Sequence, residues 1–141
     1  MPKIYFYVLP DADPQARLRL ACRIAEKAYS LGHQVHIHTD SKESCQQLDA
    51  LLWTFRDRSF IPHEIEPESS QVCKVTLGYG WTPARCEVLI NLANDAPVFF
   101  DRFERVAEII GQAQDARDAG RARYRFYRER GCELRYHEVA G

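Results

Sequence analysis

The chain has 141 residues, of which 45% are hydrophobic and 28% charged, and its formal net charge is −1. This composition predicts one folded domain, residues 1–141, with a single sizeable core. The near-neutral total charge argues against a general nucleic-acid binder, because such a protein would usually carry a basic surplus. No apolar run approaches the ~20 residues that span a bilayer, and the start lacks the apolar stretch of a signal peptide. We therefore expect a cytosolic protein without membrane association.

The first half of the chain alternates strand and helix signals. Residues 3–9 are a near-continuous run of β-branched and aromatic side chains, which predicts a central strand buried on both faces. Apolar residues at helical spacing then predict a first helix that ends near Gly32. Residues 34–39 predict a short strand, and Ser41 can cap a second helix. This order indicates an α/β fold.

The second half supplies further strands. Residues 64–74 are polar and acidic and are predicted to form a mobile surface loop. Residues 75–80 and 87–92 predict two strands, and residues 106–110, which fit a helix or a strand, are assigned to a strand. Residues 133–136 could add a short edge strand. We expect a single three-layer α/β/α domain whose largely parallel sheet has about five strands.

Residues that could carry catalysis or bind a metal do not form a recognisable set. The chain lacks a phosphate-binding loop, and Gly78-Tyr79-Gly80 is only a fragment of a dinucleotide motif. The predicted fold is therefore Rossmann-like without a nucleotide-binding motif. His36 and His38 share one side of a strand, but no cysteine or carboxylate is spaced to complete a metal site. We expect partly buried histidines, no cofactor, no metal and no enzymatic activity.

Five cysteines are widely spaced along the chain and include no C-x-x-C pair. They are Cys22, Cys45, Cys73, Cys86 and Cys132. An odd number at such spacings fits reduced and mostly buried thiols better than a disulfide framework or a zinc site.

Arginines and aromatic residues interleave on a predicted helix in the last quarter of the chain, between Gly111 and Gly131. Residues 117–130 hold six arginines and two acidic residues. At about 100° per residue, one stripe of this helix displays a set of basic and phenolic side chains. The stripe contains Arg117, Arg121, Tyr124 and Arg128, with Arg125 on its edge. Ala119, Ala122 and Phe126 are predicted to face the core.

The arginine stripe has a chemistry suited to anionic ligands. Guanidinium groups pair with carboxylates or phosphates through planar forks, and the phenol ring adds an apolar surface. The alternative is a solvated helix whose arginines only maintain solubility, which is the commoner case for a charge-rich helix. A third interpretation, direct contact with the phosphates of single-stranded nucleic acid, is disfavoured by the net charge.

A segment from Trp53 to His63 contains a tryptophan and two phenylalanines around a charged turn. These rings either cover the core, or Trp53 and Phe60 form an exposed apolar patch that anchors a protein partner. Composition does not decide between the two.

Four landmarks occur in one order along nearly the whole chain. They are residues 3–9, the segment from Leu52-Trp53 to Phe60-Ile61-Pro62-His63, residues 88–92, and the arginine-rich ending at 121–131. The spacing of Trp to Phe-x-Pro-His, combined with Arg-x-Arg-Tyr-Arg-x-Tyr-Arg before a glycine, is fairly specific. Together these landmarks resemble the chi subunit family of bacterial DNA polymerase III.

The resemblance implies a non-catalytic accessory protein of the clamp-loader assembly in DNA replication, in the cytoplasm at the nucleoid-associated replisome. Chi proteins join the clamp loader, through the psi subunit, to the acidic C-terminal tail of single-stranded DNA-binding protein, which ends in Pro-Phe. They associate with DNA indirectly. The tail site carries over to Arg117, Arg121, Tyr124, Arg125 and Arg128, and the family usually has lysine where Arg125 stands.

The resemblance also implies a second binding surface, for psi. It carries over to Trp53 and Phe60, and Pro62 and His63 are expected to form part of the same surface. A helicase-like repair protein is expected to compete with psi there, and the two sites should be separate.

Overall fold

The computed structural model describes residues 2–10, 12–54, 63–65, 75–79 and 87–139, and it leaves out the side chains of residues 54 and 63–65. Within these ranges the chain forms seven strands and three α-helices. In chain order they are β1 (Lys3–Val8), α1 (Pro14–Ser30), β2 (Val35–Thr39), α2 (Lys42–Thr54), β3 (His63–Ile65), β4 (Val75–Tyr79), β5 (Val88–Asn91), β6 (Arg105–Ile110), α3 (Gln114–Glu129) and β7 (Glu133–Glu138). A 3-10 turn, Phe100–Arg102, precedes β6.

All of these strands lie in one sheet with the order β3-β4-β2-β5-β6-β1-β7, and every pairing is parallel. The prediction of a largely parallel α/β/α domain is confirmed, and the described sheet has seven strands where about five were expected. One additional strand is β7, which extends the proposed edge strand to Glu138. Because β7 lies outside β1, the first strand is second from the edge rather than central.

The other additional strand, β3, occupies the start of the segment that was expected to be a loop. Its residues pair with β4 through backbone hydrogen bonds, which polar side chains permit as readily as apolar ones. The polar composition of residues 64–74 therefore gave no signal for the strand at His63–Ile65. Residues 66–74 lie outside the described part of the chain.

Helices cover both faces of the sheet and give the three-layer α/β/α arrangement. α1 and α2 pack on one face, where Ala25 and Leu48 of the helices join Ile37, Leu77 and Ile90 of the strands in one buried cluster. α3 and the aromatic residues before β6 pack on the other face, where Tyr127 and Phe100 join Ile4, Phe6 and Val106. The candidate site is built on this second face.

The predicted helix boundaries in the first half have clear local causes. The Asp13 side chain caps the start of α1 by accepting a hydrogen bond from the backbone N–H of Gln15 at 3.0 Å. Gly32 follows the end of α1 and has a positive φ of 87°. Ser41 Oγ accepts from the backbone N–H of Ser44 at 3.1 Å. The capping role predicted for Ser41 is confirmed.

α3 turns a different face to the sheet from the one predicted. Ala122 is exposed, whereas Gly120, Arg123 and Tyr127 are buried. The prediction placed apolar residues inward and is wrong at Ala122. The centre of the buried stripe holds Arg123 instead, whose charge is neutralised by the buried carboxylate of Glu108. Phe126 is half-buried, as is Ala119.

Gly120 allows α3 to lie very close to β6. A Cβ at this position would be 2.7 Å from Cδ1 of Ile110 and 3.0 Å from its Cγ1. Sequence alone marks Gly120 as a weak point of the helix, worth roughly 1 kcal/mol relative to alanine. The structure shows that the missing side chain is what permits the close packing.

The strand histidines and the thiols lie largely in the interior. His36 is buried with Nδ1 2.8 Å from Thr76 Oγ1, and His38 packs edge-on against Phe99, as predicted for strand histidines. Cys22 and Cys45 are buried and Cys132 is half-buried, while the other two cysteines lie outside the described residues. No group of three potential metal ligands occurs in the described ranges. No helix among these residues is long and apolar enough to cross a membrane.

Candidate functional site

A buried polar cluster fixes α3 to the sheet. Glu108 of β6 is fully buried, and its Oε1 accepts a hydrogen bond from Nε of Arg123 at 2.7 Å. Its Oε2 accepts from the Tyr127 hydroxyl at 2.6 Å and from Asn91 Nδ2 at 2.9 Å. Both carboxylate oxygens therefore have partners, which offsets the cost of removing a charge from water.

The electrostatics of this cluster are dominated by burial. Desolvation raises the pKa of Glu108, and the Arg123 charge and the hydrogen bonds to the carboxylate oppose that effect. Desolvation, together with the adjacent carboxylate, also raises the pKa of Tyr127 far above its usual range. The phenol therefore keeps its proton and remains a donor to Glu108. The cluster sets the rotation of α3 about its own axis.

With α3 fixed in this way, the predicted stripe faces solvent. All five residues carried over for the tail site are exposed: Arg117, Arg121, Tyr124, Arg125 and Arg128. Arg121 makes one exposed contact, 3.5 Å from Asp118. Within the described part of the chain, no ion pair engages Arg117, Arg125 or Arg128. Their charges are available to an anionic ligand.

A groove of about 430 Å³ opens between α3 and the strands β1, β6 and β7. We call it the α3 groove. Its lining residues are Phe6, Val8, Ile110, Gln112, Arg117, Gly120, Arg121, Tyr124 and Tyr136. Apolar and aromatic side chains form the floor. The Tyr124 ring lies 5.3 Å from the Phe6 ring, and Tyr136 is 59% exposed. Two guanidinium groups stand at the helix side of this floor.

The α3 groove contains three of the five residues that were predicted for the tail site. Arg117, Arg121 and Tyr124 line it, whereas the other two lie outside it. Arg128 continues the same stripe one turn beyond Tyr124, and Arg125 lies about 100° further round the helix from Tyr124. The five residues thus divide between the groove and a basic surface beside it.

Sequence reasoning missed the floor of the groove. Its side chains come from β1, β6 and β7, and they meet because β1 pairs with both of the other strands. Phe6 lies opposite Tyr136 in that register. The only sequence signal was the alternation of Leu134 and Tyr136 along a predicted edge strand, which places both on one face.

The second predicted surface is only partly described. Trp53 lies near the end of α2 and is 52% exposed. Phe60 and Pro62 lie outside the described residues, and His63 begins β3 with its side chain outside the description. α2 and α3 pack on opposite faces of the sheet. Trp53 is therefore on the other side of the molecule from the α3 groove.

Comparison with known proteins identifies the family. Residues 1–135 match the family described as DNA polymerase III chi subunit, HolC. The chain belongs to the chi family. A DNA polymerase III subunit chi from Pseudomonas aeruginosa is 44% identical over 140 residues, which cover 99% of this chain and 98% of that protein.

Two more distant chi proteins show the same relationship. The subunit from Haemophilus influenzae is 25% identical over 133 residues, covering 92% of each chain. The subunit from Escherichia coli is 25% identical over 119 residues, covering 82% of this chain and 81% of its own. The family resemblance found in the sequence is confirmed, and the chain is a chi-type subunit of DNA polymerase III, a replication complex.

Proposed function

We propose that this chi-family protein is a non-catalytic adaptor that binds the acidic, Pro-Phe-ending C-terminal tail of single-stranded DNA-binding protein. The observation that supports this most directly is the α3 groove, in which an apolar floor and two arginines lie side by side. A peptide that ends in a phenylalanine presents a ring and a free carboxylate on the same residue. The groove offers a complementary surface to each.

The terminal ring would rest on the apolar floor. The half-buried Val8 and Ile110 supply apolar contacts above the buried Phe6 ring, and the tilted Tyr124 ring forms an aromatic side wall. A volume of about 430 Å³ is in the lower part of the usual range for ligand pockets, which suits one side chain and its immediate neighbours. The terminal carboxylate would then pair with Arg117 or Arg121.

The acidic residues that precede the Pro-Phe end would lie over the exposed side of α3. Arg128 and Arg125 are exposed on that side, adjacent to the groove, and neither forms an ion pair with another residue that the structure describes. Contacts at such an exposed position are screened by salt, so they add attraction and on-rate more than tight binding. The five predicted residues thus divide into three that recognise the tail's end and two that attract its acidic part.

The adaptor role requires a second partner, and we assign the psi subunit of the clamp loader to the surface that includes Trp53. A half-exposed tryptophan is a common anchor in protein interfaces. Because this surface and the α3 groove lie on opposite faces of the sheet, both partners can bind one molecule at once. A helicase-like repair protein that uses the Trp53 surface would compete with psi but not with the tail.

Titration calorimetry with a synthetic tail peptide tests the proposal. Arg121→Ala and Tyr124→Ala should each weaken binding by about 1–3 kcal/mol, which is roughly fivefold to 150-fold. Arg19→Ala is the matched control, since Arg19 is an exposed arginine on α1. Amidation of the peptide's carboxyl terminus should be as damaging as Arg121→Ala. Equal binding of the free and amidated peptides would exclude the α3 groove as the tail site.

The same titrations separate this function from direct nucleic-acid binding by α3. A helix that binds phosphates would release the tail peptide when an oligonucleotide is added and would lose affinity steeply with salt. The adaptor should keep its peptide in the presence of an oligonucleotide. Complete displacement of the peptide by the oligonucleotide would favour the nucleic-acid alternative.

A further inference from the structure

A second groove, of about 480 Å³, lies on the opposite side of β1 from the α3 groove. We call it the α1 groove. Tyr5 and Tyr7 of β1 line its sheet side, while Ile24 of α1 and Leu31, which is 65% exposed, line its helix side. Neither of the predicted partner sites includes these residues. A large exposed apolar side chain beside two half-buried tyrosines is a feature that often marks a binding surface.

Three aromatic rings cluster on this side of the sheet, where His137 contacts both tyrosines. Tyr7 pairs with His137 of β7 in the parallel register, and Tyr5 lies two residues away on the same side of β1. The His137 ring is 5.5 Å from that of Tyr7 with an interplanar angle of 22°, and 6.2 Å from that of Tyr5 with an angle of 13°. The His137 ring is therefore close to parallel with each tyrosine ring, and the histidine is exposed.

Positive charges lie in the α1 groove beside the two tyrosines. Arg23 and Lys27 on α1 and Arg105 on β6 line the α1 groove, and all three side chains are exposed. None of them has an ion pair within the described ranges. Glu26 is the one acidic side chain among the lining residues of the described structure. The groove is locally basic even though the whole chain has a net charge of −1.

We propose that the α1 groove binds single-stranded DNA. Parallel aromatic rings stack on unpaired bases without regard to sequence, and flanking cations contact the phosphates. A duplex does not satisfy both requirements, because its bases are already paired and stacked within the helix. DNA is the nucleic acid that fits a subunit of DNA polymerase III. The contact is separate from the arginines of α3, which lie on the other face of the sheet.

Fluorescence anisotropy with a labelled oligothymidylate at low salt tests this inference. His137→Ala should weaken binding by about fivefold, the low end of the range for a stacked ring, because His137 is exposed and sits at the sheet edge. The double variant Arg23→Ala and Lys27→Ala should lower the slope of log affinity against log salt by about two. The charge-matched control is the double variant Arg125→Ala and Arg128→Ala on α3, which should bind the oligonucleotide as the unaltered protein does.

Two further measurements make the result decisive. An abasic oligonucleotide of the same length keeps the phosphates and lacks the bases, so it should bind more weakly and should not respond to His137→Ala. Retained affinity for the tail peptide shows that the His137 and α1 variants are folded and that their tail site is intact. The α3 control should itself lose some tail affinity, so its folding is checked by an unchanged circular dichroism spectrum. The inference is overturned if the α3 control weakens oligonucleotide binding as much as the α1 variants, or if the abasic and normal oligonucleotides bind equally.

Discussion

The Nε atom of Arg123 lies 2.7 Å from Oε1 of Glu108, and the two side chains are 4% and 0% exposed. This arginine is thus the inward-facing member of a helix whose other arginines face solvent. Because the pair fixes the rotation of α3, it also determines that Arg117, Arg121 and Tyr124 face the groove. The buried pair supports the proposed site without touching its ligand.

Removing one partner of this pair should be strongly destabilising. Arg123→Met leaves the Glu108 carboxylate buried without its counter-ion, and we expect a loss of about 3–5 kcal/mol in the free energy of unfolding. The double variant Arg123→Met and Glu108→Leu should recover part of the loss, since no buried charge then remains. Urea unfolding followed by circular dichroism measures both. The exposed Arg121→Met is the control, and an Arg123→Met protein as stable as this control would contradict the structural role.

Gly120 should respond to substitution in the opposite sense from an ordinary helical glycine. Gly120→Ala would normally stabilise a helix by about 1 kcal/mol, but here the new methyl group would crowd Ile110 and force α3 away from β6. We expect a net loss of about 1–3 kcal/mol. Ile110→Val removes the closest atom and should reduce that loss. A stabilised Gly120→Ala protein in thermal unfolding would show that the helix has room to move.

The sequence allowed most strands and helices to be predicted, for reasons that are local. Buried strands such as β5 are short apolar runs, and the exposed stripe of α3 follows from helical periodicity alone. The exposed positions of Arg117, Arg121 and Tyr124 could therefore be predicted from the sequence. β3 was missed because a short strand in a polar segment has no apolar signature.

The inward arginine and the groove floor depend on non-local pairing, which the sequence does not display. A hydropathy pattern assigns Arg123 to solvent, because the pattern contains no information about Glu108 on a different element. Phe6 and Tyr136 become neighbours only through the register of β1 with β7. The family resemblance indicates the same candidate residues on α3 as the helical periodicity does, but neither indicates what lies opposite them.

Arg121 and Arg125 should contribute differently to binding of the tail peptide. Arg121 lines the α3 groove, whereas Arg125 is exposed outside it. Arg125→Ala should cost about 1 kcal/mol, roughly fivefold in affinity, and the defect should fade as salt is raised. Arg125→Glu should bind more weakly than Arg125→Ala, because it places a carboxylate beside an acidic peptide. Calorimetry at two salt concentrations gives the comparison. If Arg125→Ala were more damaging than Arg121→Ala, the division into pocket and basic surface would be incorrect.

Trp53 should matter for a protein partner and not for the tail. Trp53→Ala should weaken capture of purified psi by at least tenfold in a pull-down, as expected for an interface anchor worth about 2 kcal/mol. Affinity for the tail peptide should stay unchanged, since Trp53 lies on the other face of the sheet. A large fall in thermal stability together with lost psi binding would instead indicate that the ring belongs to the core.

His38 should make the stability of the fold sensitive to mild acid. Burial lowers the pKa of His38 below its ordinary value of 6.5, and the nearby Asp40 opposes this only in part. Between the folded and unfolded pKa values the unfolded chain binds more protons, so stability rises with pH and levels off above about pH 6.5. His38→Gln should reduce this dependence. Urea unfolding between about pH 5 and 8 measures it, and identical slopes for the two proteins would rule out His38 as the cause.

The pairing of β7 with β1 joins the last described strand to the first. Since Phe6 and Tyr136 form the floor of the α3 groove from these two strands, the pocket cannot exist until the chain has folded back on its own beginning. A partly folded chain that has formed α3 would already display its arginines and attract acidic segments in a nonspecific way. Long-range strand pairing is slow compared with helix formation. We therefore expect selective recognition of a tail's end to be gained only in the final stage of folding. Partly folded molecules should not bind the tail selectively.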